Sequence, residues 1–217
     1  MPVLLGRFGP VWMVVFLPAG AGLWTLGEYV LHRFAMHELR GRGILSREHL
    51  EHHVTANWGF DPLIVFAWLG VILVGSLVWG PVGWLIGGPV LGVSLDAGWI
   101  LGYAYYEYQH AQSHLRAPSG RYTRWLRRHH FHHHFGHPMA NHGVTTPVWD
   151  IVFGTFQSPE VVQVPRRMAP RWLVDADGAI RSEHAADYVL VGAATLDERL
   201  AQLDRARAFA SLAPTGA

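Results

Sequence analysis

The chain has 217 residues, half of them hydrophobic, with 15% charged and a formal net charge of +1. That length suits one domain with a sizeable core, and a charged share well under the usual figure of about 25% leans towards a membrane protein rather than a soluble one. No cysteine is present, which excludes disulfides, iron–sulfur clusters and thiolate-ligated haem, so any metal must be held by nitrogen or oxygen. All 17 basic residues are Arg and none is Lys, while histidine, at 15 residues, is strongly over-represented.

The first predicted element runs from Val11 to Leu31, apolar apart from Thr25 and Glu28. At 1.5 Å per residue it would span about 31 Å, enough to cross a bilayer. The apolar run outlasts a signal-peptide core and leads straight into His32 and His37, so it is expected to remain as a span. Next comes an uncharged stretch from Pro62 to Trp79, followed by a second apolar stretch from Val82 to about Gln109, interrupted at Gly87, Gly88 and Pro89. The two predict a hairpin of spans, the second arm being either one kinked helix or a re-entrant piece followed by a span from Val90. Either way the histidines fall on one face of the membrane. Of the 17 Arg, 16 lie in segments assigned to that face and only Arg7 to the other, which makes the histidine face cytoplasmic.

After Pro159 the composition turns polar. A turn is expected at Asp177-Gly178, and Thr195 with Glu198 forms a capping-box pattern opening a late helix whose Leu196, Leu200 and Leu203 recur at helical spacing. The expected organisation is all-α. Residues 1–157 make a membrane-embedded catalytic domain of about three to four transmembrane helices with a cytosolic histidine-rich di-metal cap, and residues 158–217 a cytosolic tail packing on that cap.

Ten histidines fall into four boxes: His32 and His37; His49, His52 and His53; His110 and His114; His130, His133 and His134. Two boxes share the H-x-x-H-H spacing. On a helix, positions i, i+3 and i+4 project from one face, so such a box can present three imidazoles to one point and an i, i+4 pair two. Neutral imidazole is a common ligand for borderline metals, and ten would serve two metals with about five each. A run such as His129 to His134 taken alone also fits a low-complexity metal-sequestering tract. The other three boxes are not runs, and all four lie at or beyond a span end on the same face. The last box has two registers, since His129, His132 and His133 satisfy the same spacing.

These residues resemble the fatty-acid hydroxylase and sterol desaturase superfamily of membrane di-iron enzymes. The resemblance covers about Glu28 to Phe156 and rests on the four boxes in order, on Gly102-Tyr-Ala-Tyr-Tyr-Glu107 before the third, and on the closing Gly143-Val-Thr-Thr-Pro-Val-Trp149-Asp150 with Phe153-Gly154-Thr155. Among its members it is most similar to fatty-acid 2-hydroxylases. It implies His130, His133 and His134 as the ligands of the last box, leaving His129, His132, His137 and His142 to outer-shell or, more readily, surface positions, with His184 an ordinary exposed histidine. It also implies two iron ions, for which zinc can substitute in a purified protein, dioxygen as cosubstrate, and a lipid substrate such as a long-chain acyl group. Members with a fused cytochrome b5 domain are longer than this chain, so a separate donor is expected, either cytochrome b5-like or a ferredoxin with its reductase, and no nucleic acid.

Within that frame Glu28, four residues before His32, and Glu107, three before His110, are candidates to accept the free imidazole N–H and orient those ligands, with Glu51 weaker and Arg33 an alternative partner for Glu28. Asp96 is too far from the boxes and is expected to bond between helices. Arg121, Arg124, Arg127 and Arg128 are candidates to dock an acidic donor or anionic lipid headgroups. Desaturation, or hydroxylation of a sterol or carotenoid, are alternatives with the same metals. A membrane metal-binding or transport protein is an alternative of another class.

Overall fold

The computed structural model describes residues 8–56, 58–59, 62–193, 195 and 197–198. Helix α1 (Met13–Val30) runs without a break into a π-helical segment, Leu31–Glu38. Then follow α2 (Ile44–Thr55), α3 (Pro62–Gly87), α4 (Pro89–Leu115), α5 (Arg121–Phe135) and the short α6 (Val148–Val152). The chain divides into two compact units, Met1–Pro159 and Glu160–Ala217. The second holds β1 (Val162–Pro165) and β2 (Tyr188–Val191), paired in parallel from Val162 opposite Tyr188 to Pro165 opposite Val191. The fold is thus mostly helical, and the two-stranded sheet is the departure from an all-α expectation.

Pro10–Glu38 and Val65–Gly87 are long and apolar enough to cross a membrane. Helix α4 has 27 residues, about 40 Å of helix, but its last third carries Tyr, Glu, Gln and His in place of aliphatic residues. The hairpin turns elsewhere than its sequence pattern implies. Helix α3 continues through Pro81, and Gly87-Gly88-Pro89 is the turn itself, neither a kink nor a re-entrant break. Gly88 sits at φ +85°, a conformation open to glycine, and Pro89 starts α4 where a missing N–H costs nothing.

Helices α1 and α4 run in the same direction and touch through backbone. A Cβ on Gly20 would strike the Leu95 carbonyl oxygen, and one on Gly98 that of Leu17, the close approach that small residues allow between membrane helices. Trp99 wedges between α1 and α3, its ring lying over Gly27 and Gly75. It packs edge-on against Trp24 at 5.0 Å, and with Val71, Tyr103, Tyr106, Leu126 and Val144 these rings make the core beneath the histidines. Asp96 packs opposite Gly80, but its buried Oδ1 has no hydrogen-bond partner among the described residues, so that oxygen does not make the expected interhelical bond.

In the tail, Thr195 and Glu198 exchange reciprocal bonds of 3.3 and 3.2 Å. Leu196, Leu200 and Leu203 lie outside the described residues.

Candidate metal centre

All ten histidines of the four boxes converge, in two groups of five: His32, His37, His49, His53 and His133, and His52, His110, His114, His130 and His134. Neither H-x-x-H-H box delivers three rings to one point as its spacing alone suggests. Each splits. His49 and His53 enter the first group while His52 enters the second, and His130 and His134 enter the second while His133 enters the first. Each group therefore receives one two-histidine box, the i, i+4 pair of one triple box and the i+3 ring of the other. The two groups meet where the rings of His53 and His134 stack at 4.1 Å.

The first box, with five residues from His32 to His37, would diverge by about 140° on an α-helix. It converges because Leu31–Glu38 is π-helical, where i→i+5 hydrogen bonds bring such residues onto one side.

Within the first group, Nε2 of His49 lies 3.0 Å from that of His32, 2.9 Å from His37 and 3.0 Å from His53, and His37 lies 3.0 Å from His133. In the second, His52 lies 3.0 Å from His110, and His114 2.9 Å from His130. Ligands at about 2.1 Å from one metal and at right angles are about 3.0 Å apart, so the spacing fits a coordination shell. The tautomers fit as well. His32 Nδ1 lies against the carbonyl of His142, and His133 Nδ1 lies 2.7 Å from that of Ala140. A carbonyl accepts only from N–H, so in these two neutral rings Nε2 keeps a lone pair that can bind a cation. Burial keeps these rings neutral: it holds His49, His130, His133 and His134 well below the ordinary imidazole range and takes His53 down to about 2.

Beside the groups lies a cavity of about 330 Å³, lined by His49, His52 and His110 and by Trp24, Leu31, Ala67, Trp68 and Val71. Glu28, Glu48, Glu51 and Glu107 also line it. Such a space, mostly apolar with a few polar groups, is within the usual range for small-molecule sites.

A family model described as fatty acid hydroxylase matches residues 17–155. The chain belongs to the fatty acid hydroxylase family. Among its relatives are a dihydroceramide fatty acyl 2-hydroxylase of Arabidopsis thaliana, 30% identical over 161 residues, covering 73% of this chain and 64% of the relative, and a fatty acid 2-hydroxylase of Homo sapiens, 32% identical over 152 residues, covering 65% and 39%. A solved structure of full-length scs7p, in which only the hydroxylase domain is visible, superposes with a TM-score of 0.54 at 25% identity, covering 77% of this chain and 62% of that one. The chain thus spans less than two thirds of each.

The family segment contains both five-histidine groups and ends at Thr155, within the closing motif. The surplus histidines lie partly elsewhere than expected. His132 is half-buried, its Nε2 2.9 Å from Gln157, and His137 is exposed. His129 and His142 are buried, not superficial, and face Asp150 at 3.5 and 3.8 Å. His184 is buried against Trp172.

Glu28 does not take the N–H of His32. Its carboxylate accepts from Thr145 N at 2.8 Å and Thr145 Oγ1 at 2.6 Å. Arg33 pairs with Glu38 at 3.0 Å and with Tyr29. Glu107 borders the cavity beside His110, and no described hydrogen bond joins the two. Of the arginine cluster, Arg127 is buried and donates to the carbonyls of Arg116, Thr123 and Gln112, so it ties α5 to the end of α4. Arg128 donates to Pro159.

The closing motif is visible in the sequence, but the tasks of its residues appear only in the fold. Asp150, fully buried, accepts from the N–H groups of His142 and Gly143, each at 2.8 Å, and from Thr155 Oγ1 at 2.7 Å. Burial alone would push its carboxyl up, but the donors around it hold it well below the ordinary range. A side chain at position 143 would strike the Thr146 carbonyl, so only glycine fits there.

Proposed function

We propose that the chain is an integral-membrane di-iron oxygenase that hydroxylates a C–H bond of a lipid, the acyl chain of a ceramide-like or other long-chain lipid being the class its relatives' names carry. The observation that carries this reading is the pair of five-nitrogen groups opening onto an apolar cavity. Bound iron would supply an oxidising power towards unactivated C–H bonds that side chains lack, with dioxygen and two electrons from a separate donor. The balance is R–H plus dioxygen, two electrons and two protons, giving R–OH and water.

The residues hold and shape. Buried neutral imidazoles offer Nε2 lone pairs, and backbone carbonyls fix two of the tautomers. Trp24, Trp68 and Val71 exclude water from the acyl chain and present it towards His49, His52 and His110. Glu107, which lines the cavity together with His110, is the carboxylate proposed to orient that ring, whereas Glu28 holds Thr145. The histidine face looks into the cytosol by the arginine distribution, where a soluble or membrane-bound donor can reach it.

Lipid extracts from cells with and without the gene, compared by mass spectrometry, test the reading. A gain of sixteen mass units in an acyl lipid is expected. A loss of two units would make the chain a desaturase, and no change in any lipid would contradict the proposal.

A further inference from the structure

One loop, residues 140–143, stands behind two rings of the first histidine group. The carbonyl of Ala140 faces His133 Nδ1 and that of His142 faces His32 Nδ1. No described hydrogen bond joins this loop to a ring of the second group, where His114 faces the backbone of Ala56, and the Nδ1 atoms of His130 and His134 have no partner among the described residues.

The loop is held from below. Asp150 takes the N–H groups of His142 and Gly143 on its two oxygens and the Thr155 hydroxyl on one of them. Asn141, at φ +58°, is fixed on both sides: its N–H donates to Thr155, its Nδ2 to Gln157, and its Oδ1 accepts from Gln157 N. A carboxylate suits this place because three donors converge on it, and an amide would turn an NH₂ towards one of them.

Resting on the two-metal reading above, we propose that Asp150 is a positioning residue for one metal site only. By fixing the peptide units of His142 and Gly143 it sets the His142 carbonyl, through that carbonyl the ring of His32, and so the site of His32, His37, His49, His53 and His133. The site of His52, His110, His114, His130 and His134 is independent of it. The two sites are therefore unequal in what secures them, and outer partners of ligating histidines commonly change metal affinity by about 10- to 100-fold.

The test uses the full chain purified in detergent and loaded with zinc(II), with metal content measured by elemental mass spectrometry and release followed with a chromophoric chelator. Wild type should hold two zinc ions per chain. In Asp150→Asn one ion should leave about 10- to 100-fold faster and the other at its wild-type rate. The fast phase should persist when Asp150→Asn is combined with His110→Ala, which opens the second site, and should vanish when it is combined with His37→Ala, which opens the first. His142→Ala keeps the main-chain carbonyl and should retain both ions. Should Asp150→Asn fail to fold, Thr155→Val removes one bond to the same carboxylate and should loosen the same ion by a smaller factor. If wild type holds two ions and both leave Asp150→Asn at unchanged rates, or both accelerate alike, the proposal is overturned. Fewer than two ions in wild type would overturn instead the two-metal reading beneath it.

Discussion

An imidazole that gives its Nδ1 proton to a carbonyl has only a lone pair left at Nε2, and His32 and His133 are held in that state by main-chain oxygens. Neutrality has a measurable cost in acid. The folded histidines titrate well below 6.5, while the unfolded ones take up protons near 6.5. Stability is therefore complete above that value and is lost as pH falls through it, by up to about 1.4 kcal/mol per pH unit for each such ring. The melting temperature of the metal-stripped chain should hold between about pH 8 and pH 7 and then drop steadily down to about pH 5, and a flat profile below pH 7 would contradict the burial described. Glu28 was recognisable as unusual because it is a carboxylate in an apolar run, but its partner Thr145 lies 117 residues away in sequence, which no local spacing reveals. Glu28→Gln should lower stability by about 1–3 kcal/mol, read as a reduced melting temperature in detergent. Asp150 was equally visible as a letter and equally silent as to role, since what it binds is mainly backbone N–H, which every sequence supplies.

At the scale of elements, the two candidate spans and the boxes could be read because hydrophobic runs and histidine spacing are local patterns. How the rings are shared out could not, because it depends on where α2 and α5 cross the other helices. The π-helical segment did leave a trace: a five-residue separation fits neither face of an α-helix, and converging ligands at that spacing demand a wider turn. The hairpin turn was misplaced because Gly80-Pro81 and Gly87-Gly88-Pro89 offer similar punctuation, and only the second also has the positive φ of Gly88. Close contact between α1 and α4 sets the distance between the first and third boxes. Gly98→Leu should therefore force the backbones apart and cost about 3 kcal/mol or more, with metal lost as well. Gly22→Leu, where a Cβ meets nothing within 4 Å, should leave both stability and metal content near wild type.

For the molecule as a whole, an apolar cavity adjoins a ligand set, and each half can be tested alone. Ala67 lines the cavity and belongs to neither histidine group, so Ala67→Trp should shorten the acyl chains accepted while leaving metal content unchanged; an unaltered product profile would place the substrate elsewhere. The most direct measurement of the central claim is isotope incorporation from ¹⁸O₂ into membrane lipids of cells making the wild-type chain or His133→Ala. An acyl lipid heavier by eighteen mass units is expected with the wild type and none with the variant. Incorporation that persists in His133→Ala, or its absence in both, would contradict that claim.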